Sequence, residues 1–156
     1  MEIIDLRDQP GQIPLLAAWH HHQWRDINPG QTLQQRIEKM QAYLRDKLVP
    51  STYVAMEQEE VLGSAAIVEY DMRIEGCTPW LASVYVHPEF RRQGIGSALV
   101  KHAMEQARAA GVEHLYLFTP DQTRFYQRLG WEVMSEKAYH GQHVSIMKLN
   151  LQAAML

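Results

Sequence analysis

The sequence has only one cysteine, Cys77, in its 156 residues, which excludes an internal disulfide and a cysteine-based zinc site. It has no excess of basic residues, because 15 Lys and Arg against 18 Asp and Glu give a net charge of −3. This balance argues against electrostatic binding of nucleic acid. No apolar run approaches the roughly 18 residues of a membrane span, and the first residues lack a secretory-signal pattern. We therefore expect a cytoplasmic protein that binds neither nucleic acid nor membrane.

The remaining composition is that of an ordinary globular protein, with 46% apolar and 21% charged residues. The length fits one domain of about 100–200 residues. Since no linker or composition break interrupts the chain, residues 1–156 are expected to form a single domain.

Apolar periodicity predicts a mixed order of elements, β-α-α-β-β-β-α-β-α-β-β. Thr32 is expected to cap the second helix, and Gly111 is expected to end the third. The predicted strands cover residues 2–6, 52–56, 61–70, 80–86, 114–118, 131–139 and 143–149, and the predicted helices cover 13–25, 33–48, 95–110 and a short segment around 125–129.

The most informative segment joins the strand at 80–86 to the following helix. It contains Arg91, Arg92, Gly94 and Gly96. A helix start leaves backbone N–H groups unpaired and favours anions, and glycines let a phosphate approach closely. A Rossmann fingerprint would need a third glycine, and a P-loop would need Gly-Lys-Ser/Thr. We therefore expect a site for a diphosphate; the alternative is a glycine-bearing helix entry with solvated arginines.

Two motifs carry a resemblance to a known family. The run Arg91-x-x-Gly94-x-Gly96 after Val-x-Val-x-Pro resembles the acetyl-CoA-binding motif of the GNAT superfamily of N-acetyltransferases. The segment from Phe125 to Trp131 is similar to the family's aromatic-Tyr-x-x-x-Gly-aromatic segment. The resemblance covers nearly the whole chain. It implies a GNAT fold of the α/β (α+β) class, with a mixed central sheet of six or seven strands and about four helices.

The resemblance implies transfer of acetyl from acetyl-CoA to a primary amine of a small molecule or peptide, by direct attack on the thioester. Pantetheine would lie beside a splayed strand, where the N–H of Val84 or a neighbour donates to the carbonyl. Where the family often has an Asn, this chain has Thr119-Pro120-Asp121-Gln122, so Asp121 or Gln122 would substitute. The expected cofactor-binding residues are Val84, Tyr85, Val86, Arg91, Arg92, Gln93, Gly94, Ile95, Gly96, Ser97, Asp121 and Tyr126.

The same resemblance places the donor to the leaving thiolate at Tyr126; the alternative is a core aromatic residue. A phenol with a pKa near 10 stays protonated at neutral pH and can donate. Glu69 and Asp71 end a strand that should flank the acceptor, so either is a candidate base, although an amine that binds neutral needs none. Trp24 and Trp80 are candidates for lining the acceptor site, with burial in the core as the alternative.

Several alternatives stay open. The chain could instead be a non-catalytic CoA-binding sensor or regulatory module on the same fold, or a transferase of a longer acyl group. No metal site is expected, because His20, His21 and His22 point about 100° apart on a helix and cannot share one ion. The acceptor's identity and the oligomeric state, including a homodimer, are left undecided by the sequence.

Overall fold

Seven strands form one mixed sheet in the computed structural model, which describes residues 1–152. The strands are β1 (Glu2–Asp5), β2 (Ser51–Glu57), β3 (Glu60–Val68), β4 (Trp80–Val86), β5 (His114–Thr119), β6 (Glu132–Tyr139) and β7 (Gln142–Asn150), and the α-helices are α1 (Ile13–Trp24), α2 (Leu33–Ala42), α3 (Ile95–Ala109) and α4 (Thr123–Arg128). The spatial order is β1-β2-β3-β4-β5-β7-β6, with β4 and β5 as its parallel pair. The predicted fold class is confirmed.

Each face of the sheet has its own core. The predicted apolar stripe of α3 is buried against one face, with Leu99 and Ala103 fully inaccessible to solvent. On the other face, α1 and α2 cover β2 and part of β3 through Leu16 and Met40. A third cluster surrounds Trp80 on β3, β4, β5 and β7. Within residues 1–152, no helix has the length and apolarity required to cross a membrane.

The second helix is shorter than the sequence predicts. It ends at Ala42 rather than Leu48. Beyond its end, the guanidinium of Arg7 donates to the carbonyls of Arg45, Lys47 and Pro50. These bonds pair carbonyl groups of the segment that follows α2, so the segment is held as a series of turns.

The third strand also ends early, at Val68 rather than Tyr70. The chain leaves the sheet at Glu69, whose carbonyl accepts a hydrogen bond from the Thr78 hydroxyl. This bond joins the two ends of the loop at 69–79. The loop therefore carries Glu69 and Asp71 beyond the end of the strand.

Candidate functional site

The strands β4 and β5 pair at a single position. Trp80 lies opposite Tyr116. Beyond it, residues 117–119 pair with β7, and residues 81–86 pair with β3 along the other edge of β4. The two strands therefore separate toward their C-terminal ends, which leaves backbone groups of β4 without strand partners. A ligand chain in this gap can hydrogen-bond to β4 as an added strand would.

A bulge interrupts β4 beside this gap. Ser64 pairs with Tyr85 and Ala66 with Ala82, so Ser83 and Val84 together lie opposite one residue of β3. Ser83 has a φ of +54°, a left-handed conformation that costs a non-glycine residue energy unless its surroundings hold it. The bulge re-aims the backbone at Val84, the residue expected to donate to a carbonyl.

Four side chains hold the bulge, and we call them the Ser83 clamp: His20, Arg36, Ser64 and Ser83. Arg36 Nη2 donates to Ser83 Oγ and to His20 Nδ1, both at 2.8 Å. Ser64 Oγ lies 2.8 Å from His20 Nε2 and donates to the Ser83 carbonyl at 2.9 Å. Because Arg36 can only donate, His20 Nδ1 accepts and its proton is on Nε2. The clamp therefore contains a neutral histidine of one tautomer.

His20 in the clamp is 2% exposed. Burial, followed by the charge of Arg36, holds its pKa well below 6.5. The other two histidines of the run have separate surroundings: His21 Nε2 lies 3.1 Å from the carbonyl of Gln31, and His22 is exposed. The three therefore differ in environment although they are adjacent in sequence.

We expect acid to weaken folding through His20. Below about pH 6.5 the unfolded chain binds a proton at His20 that the folded chain does not, so the free energy of unfolding decreases as pH falls. One such group contributes a loss of about 1 kcal/mol between roughly pH 7 and 5.5. Urea unfolding of the wild type and His20→Gln across this range measures the effect.

The comparison with His20→Gln isolates this contribution. Asp71 acts in the opposite direction: its pKa is raised to about 6 in the folded protein, so it favours the folded state as pH falls. The contribution of Asp71 is present in both proteins and cancels. An equal pH dependence of the two would contradict the assignment of a neutral, buried His20.

The loop between β4 and α3 has the geometry of an anion site. Arg92 and Gly94 adopt left-handed conformations, with φ of +66° and +80°, and Gly94 caps α3. These two residues are separated by Gln93, which is not left-handed. Alternation of left-handed and right-handed residues turns successive N–H groups toward one concave side. Arg91 Nε donates to the Val86 carbonyl, which ties the loop to the end of β4. Arg92 and Gln93 are exposed, so the surface remains accessible.

Gly96 lies in the first turn of α3. A Cβ at this position would meet Val86 Cγ2 at 3.6 Å and Phe125 Cζ at 3.8 Å, which are ordinary contacts. Packing within the protein therefore does not require glycine at 96. A ligand that approaches the backbone closely would explain why this position is glycine, because a Cβ would stand in its way.

Tyr126 lies on α4 with its ring buried and 7% of its surface exposed. Its ring contacts those of Phe125 and Trp131. No hydrogen bond to its hydroxyl forms within residues 1–152, and that oxygen is not among their fully buried, unpaired atoms. Burial, then the charges of Asp71 and Asp121, raises the pKa of Tyr126 well above 10, so the phenol is protonated.

Asp71 is an exposed residue of the loop at 69–79. Surrounding protein atoms desolvate the carboxyl and raise its pKa to about 6, while Lys39 and Arg36 act in the opposite sense. Water still reaches the residue, so solvent screening moderates the shift. The charge of Asp71 also contributes to the raised pKa values of Tyr43, Tyr126 and Tyr139. These phenols and the carboxylate therefore lie within electrostatic range of one another.

The other candidate residues lie at three different places in the fold. Glu69 is exposed and lines a pocket beside α2. Trp24 is partly exposed on α1, where it stacks against His20 and Tyr85. Asp121 is exposed next to Tyr126, and the Gln122 amide donates to the Thr119 hydroxyl.

One expectation is corrected. Trp80 is completely inaccessible to solvent in the core, and its Nε1 donates to the Cys77 carbonyl, so it does not line an acceptor pocket. The ring of Tyr85 packs against Trp19 and Trp24, so the part of Tyr85 that remains available to a ligand is its backbone.

Sequence reasoning missed the contribution of α2. The charges of Arg36 and Lys39 both lower the pKa of the Asp71 carboxyl. Their spacing of three residues on one helix was a usable signal, because such residues share a face. Nothing local indicated that this face lies over β4.

Comparison with known proteins agrees with this architecture. The model of the acetyltransferase (GNAT) family matches residues 15–131. An uncharacterized N-acetyltransferase of Chlorobaculum tepidum is 29% identical over 115 residues, 74% of this chain and 67% of that protein. The amino-acid acetyltransferase of Vibrio cholerae is 28% identical over 101 residues, 58% of this chain but only 22% of that enzyme. The structure of an aminoglycoside 6'-N-acetyltransferase complexed with coenzyme A has a TM-score of 0.74 at 17% identity, with 97% of each chain covered.

A mixed sheet that opens between two parallel strands, beside an anion-binding helix start, defines a protein of the GNAT fold. With a family model covering most of the residues, the chain belongs to the acetyltransferase (GNAT) family, and it is an acyltransferase.

Proposed function

We propose that the protein transfers acetyl from acetyl-CoA to a primary amine by direct attack on the thioester. The observation that carries this proposal is the place of two groups in the fold: Tyr126 lies on α4, directly after β5, and Asp71 lies in the loop that leads into β4. Among residues 1–152 the Tyr126 hydroxyl has no hydrogen-bond partner, and the charge of Asp71 acts on that phenol. A hydrogen-bond donor and a base that act on one another suit a reaction in which one proton leaves the amine and the sulfur gains a hydrogen-bond donor.

Acetyl-CoA fits the residues around the gap. The loop from Arg91 to Ser97 offers backbone N–H groups and arginine charge to a diphosphate. The unpaired edge of β4 offers backbone groups to the amides of pantetheine. The aminoglycoside acetyltransferase of similar fold was solved with coenzyme A, which supports the same co-substrate here.

The proposed reaction begins when the neutral amine attacks the thioester carbonyl and a C–N bond forms. The carbonyl oxygen gains negative charge, which the Val84 N–H beside the bulge stabilises. The Asp71 carboxylate accepts the proton that the amine loses, directly or through water. The C–S bond then breaks, the electron pair goes to sulfur, and the thiolate leaves as the partner of the Tyr126 hydroxyl.

The raised pKa of Tyr126 defines its proposed role more closely. A thiol has a pKa of about 8.5, well below that of this buried phenol. Transfer of the phenolic proton to the thiolate is therefore uphill. Tyr126 acts as a hydrogen-bond donor that stabilises the leaving thiolate, and the thiol proton comes afterwards from water.

Asp71 is preferred over Glu69 as the base. The pKa of Asp71 is raised toward neutrality, to about 6, so that it accepts a proton readily while ionised at pH 7. Its charge also acts on the phenol of Tyr126, the proposed donor to the leaving thiolate.

The test of the proposed function is release of CoA, measured with a thiol reagent, across a panel of small amines and peptides with acetyl-CoA as donor. We expect turnover with at least one amine. Tight binding of CoA without turnover of any amine would overturn the proposal in favour of a CoA-binding sensor. Faster turnover with longer acyl donors would instead favour a transferase of a longer acyl group.

Replacing Asp71 with Asn should lower kcat/KM roughly 10-fold at pH 7, since a positioned base contributes about 10²–10⁴-fold and water can partly replace it. In the wild type kcat/KM should fall as pH decreases through about 6, where Asp71 gains its proton. The variant should lose this inflection. The profile is measured with an acceptor whose own amine titrates outside that range.

Glu69→Gln is the matched control, because it removes a carboxylate two residues away in the same loop. We expect it to keep the wild-type profile. Loss of the inflection in Glu69→Gln but not in Asp71→Asn would reverse the assignment.

A further inference from the structure

We infer that the acceptor amine also carries an anionic group, and that a pocket between α2 and the end of β3 binds this group. This inference rests on the proposed function, since it places the amine at Asp71. The pocket, called here the α2 pocket, has a volume of about 290 Å³. Its polar lining comes from Lys39, Tyr43, Glu69, Tyr70 and Arg73.

The α2 pocket holds cations without ion-pair partners. Within residues 1–152, neither Lys39 nor Arg73 has a carboxylate within 4.0 Å. Glu69 is the carboxylate that shares the lining, so the side chains have a net charge of +1. Arg73 lies with its guanidinium carbon 4.6 Å from the centre of the Tyr70 ring, which holds it at the pocket wall.

Lys39 is the most informative residue of the pocket. Lys39 is exposed, yet neighbouring protein atoms partly desolvate its ammonium, and this burial followed by the charge of Arg36 lowers its pKa. A desolvated cation beside another cation is unfavourable unless an anion compensates it. Within residues 1–152, the charge of Asp71 raises the pKa of Lys39 without forming an ion pair with it, and the Glu69 carboxylate of the lining also lies more than 4.0 Å from its ammonium. A ligand carboxylate or phosphate in the α2 pocket would complete the pairing, with the phenols of Tyr43 and Tyr70 as further donors.

The position of Lys39 links the α2 pocket to the proposed chemistry. Its charge and that of Asp71 act on one another. An acceptor with an amine at one end and an anion at the other would therefore satisfy both groups at once: the amine lies at Asp71 and the anion at Lys39. A purely cationic polyamine would instead bring a positive charge toward Lys39 and Arg73. The volume suits a small molecule rather than a folded partner.

The test compares matched acceptors that differ only at the second group: an amino acid, its amide, and the corresponding aminophosphonate. We expect kcat/KM to be at least 10-fold higher for the anionic members than for the amide. Comparison of the amino acid with the aminophosphonate shows whether the pocket prefers a carboxylate or a phosphonate. Equal rates for all three, or a preference for the amide or for a polyamine, would overturn the inference.

Two variants locate the effect. Lys39→Gln and Arg73→Gln should each raise KM for the anionic acceptor about 10-fold, and Arg73→Gln should leave KM for its amide and for acetyl-CoA unchanged. Lys101→Gln is the matched control, because Lys101 is exposed on α3 across the sheet. A loss of the same size in Lys101→Gln, or no loss in either pocket variant, would refute the location.

Calorimetric titration of the same three compounds into the CoA-bound protein separates this inference from the proposed function. Tighter binding of the anionic members that Lys39→Gln abolishes supports the α2 pocket even if no amine is turned over, in which case the proposed function fails. Turnover of amines with no dependence on the anion supports the proposed function and overturns this inference.

Discussion

Replacement of Gly94 by Glu is expected to abolish measurable binding of acetyl-CoA while the fold survives. Gly94 caps α3 in a left-handed conformation, and a Cβ there would meet no atom within 4 Å. The side chain would therefore project from the open loop and bring a carboxylate to the anion site. The loss of two charge-assisted hydrogen bonds, each of about 1.5–3 kcal/mol, corresponds to at least about 100-fold weaker binding.

Gly111→Glu is the matched control for this variant. Gly111 also has a positive φ, +86°, and open space around its Cβ position, but it follows the opposite end of α3. Both variants should have a similar folding cost of roughly 1–2 kcal/mol from the left-handed conformation. Calorimetry with acetyl-CoA and thermal unfolding of both proteins decide the matter. Unchanged affinity in a folded Gly94→Glu protein would remove the basis for the cofactor site.

Features encoded in short stretches of sequence were predictable. The stripe of Leu99 and Ala103 repeats every four residues on α3, so the pattern indicates both the helix and its buried face. The loop from Arg91 to Gly96 combines glycine and arginine at spacings that suit a helix N-terminus. Tyr126 was identified by similarity to a family segment rather than by any property of its own.

The Ser83 clamp was not predictable by the same means. His20 and Ser64 are 44 positions apart, and Arg36 and Ser83 are 47 apart. No periodicity within one element relates residues at such separations, because their contact depends on how helices lie across a sheet. The consecutive histidines allowed only an argument against a shared metal, whereas the structure gives His20 a specific tautomer and partners.

The end of α2 was predicted incorrectly for the same reason: it depends on contacts between residues far apart in sequence. The apolar stripe that continues to Leu44 favours a helix, and no residue between 43 and 47 is a strong breaker. The contacts that hold the segment after α2 as turns come from Arg7, which lies nearly 40 positions earlier and binds the carbonyls of those turns. Tertiary contacts of this kind override local helix propensity.

Conversion of Tyr126 to Phe is expected to lower kcat and kcat/KM together, with KM nearly constant. The ring is buried and would pack in the same place, and the hydroxyl makes no hydrogen bond within the described residues, so stability should change little. The thiolate exists only after the C–S bond begins to break, so the lost hydrogen bond stabilises the transition state rather than the bound substrate.

The expected loss is roughly 10–100-fold. General acid catalysis commonly contributes about 10²–10⁴-fold, but the effect here should be no larger than the low end of that range, because a thiolate is already a good leaving group. Tyr53→Phe is the matched control: Tyr53 is 3% exposed and packs in the α3-side core from β2. Steady-state kinetics with any accepted amine measure both variants. Wild-type kcat in Tyr126→Phe would leave that residue with a packing role only. An equal loss in Tyr53→Phe would assign the effect to the core rather than to the leaving thiolate.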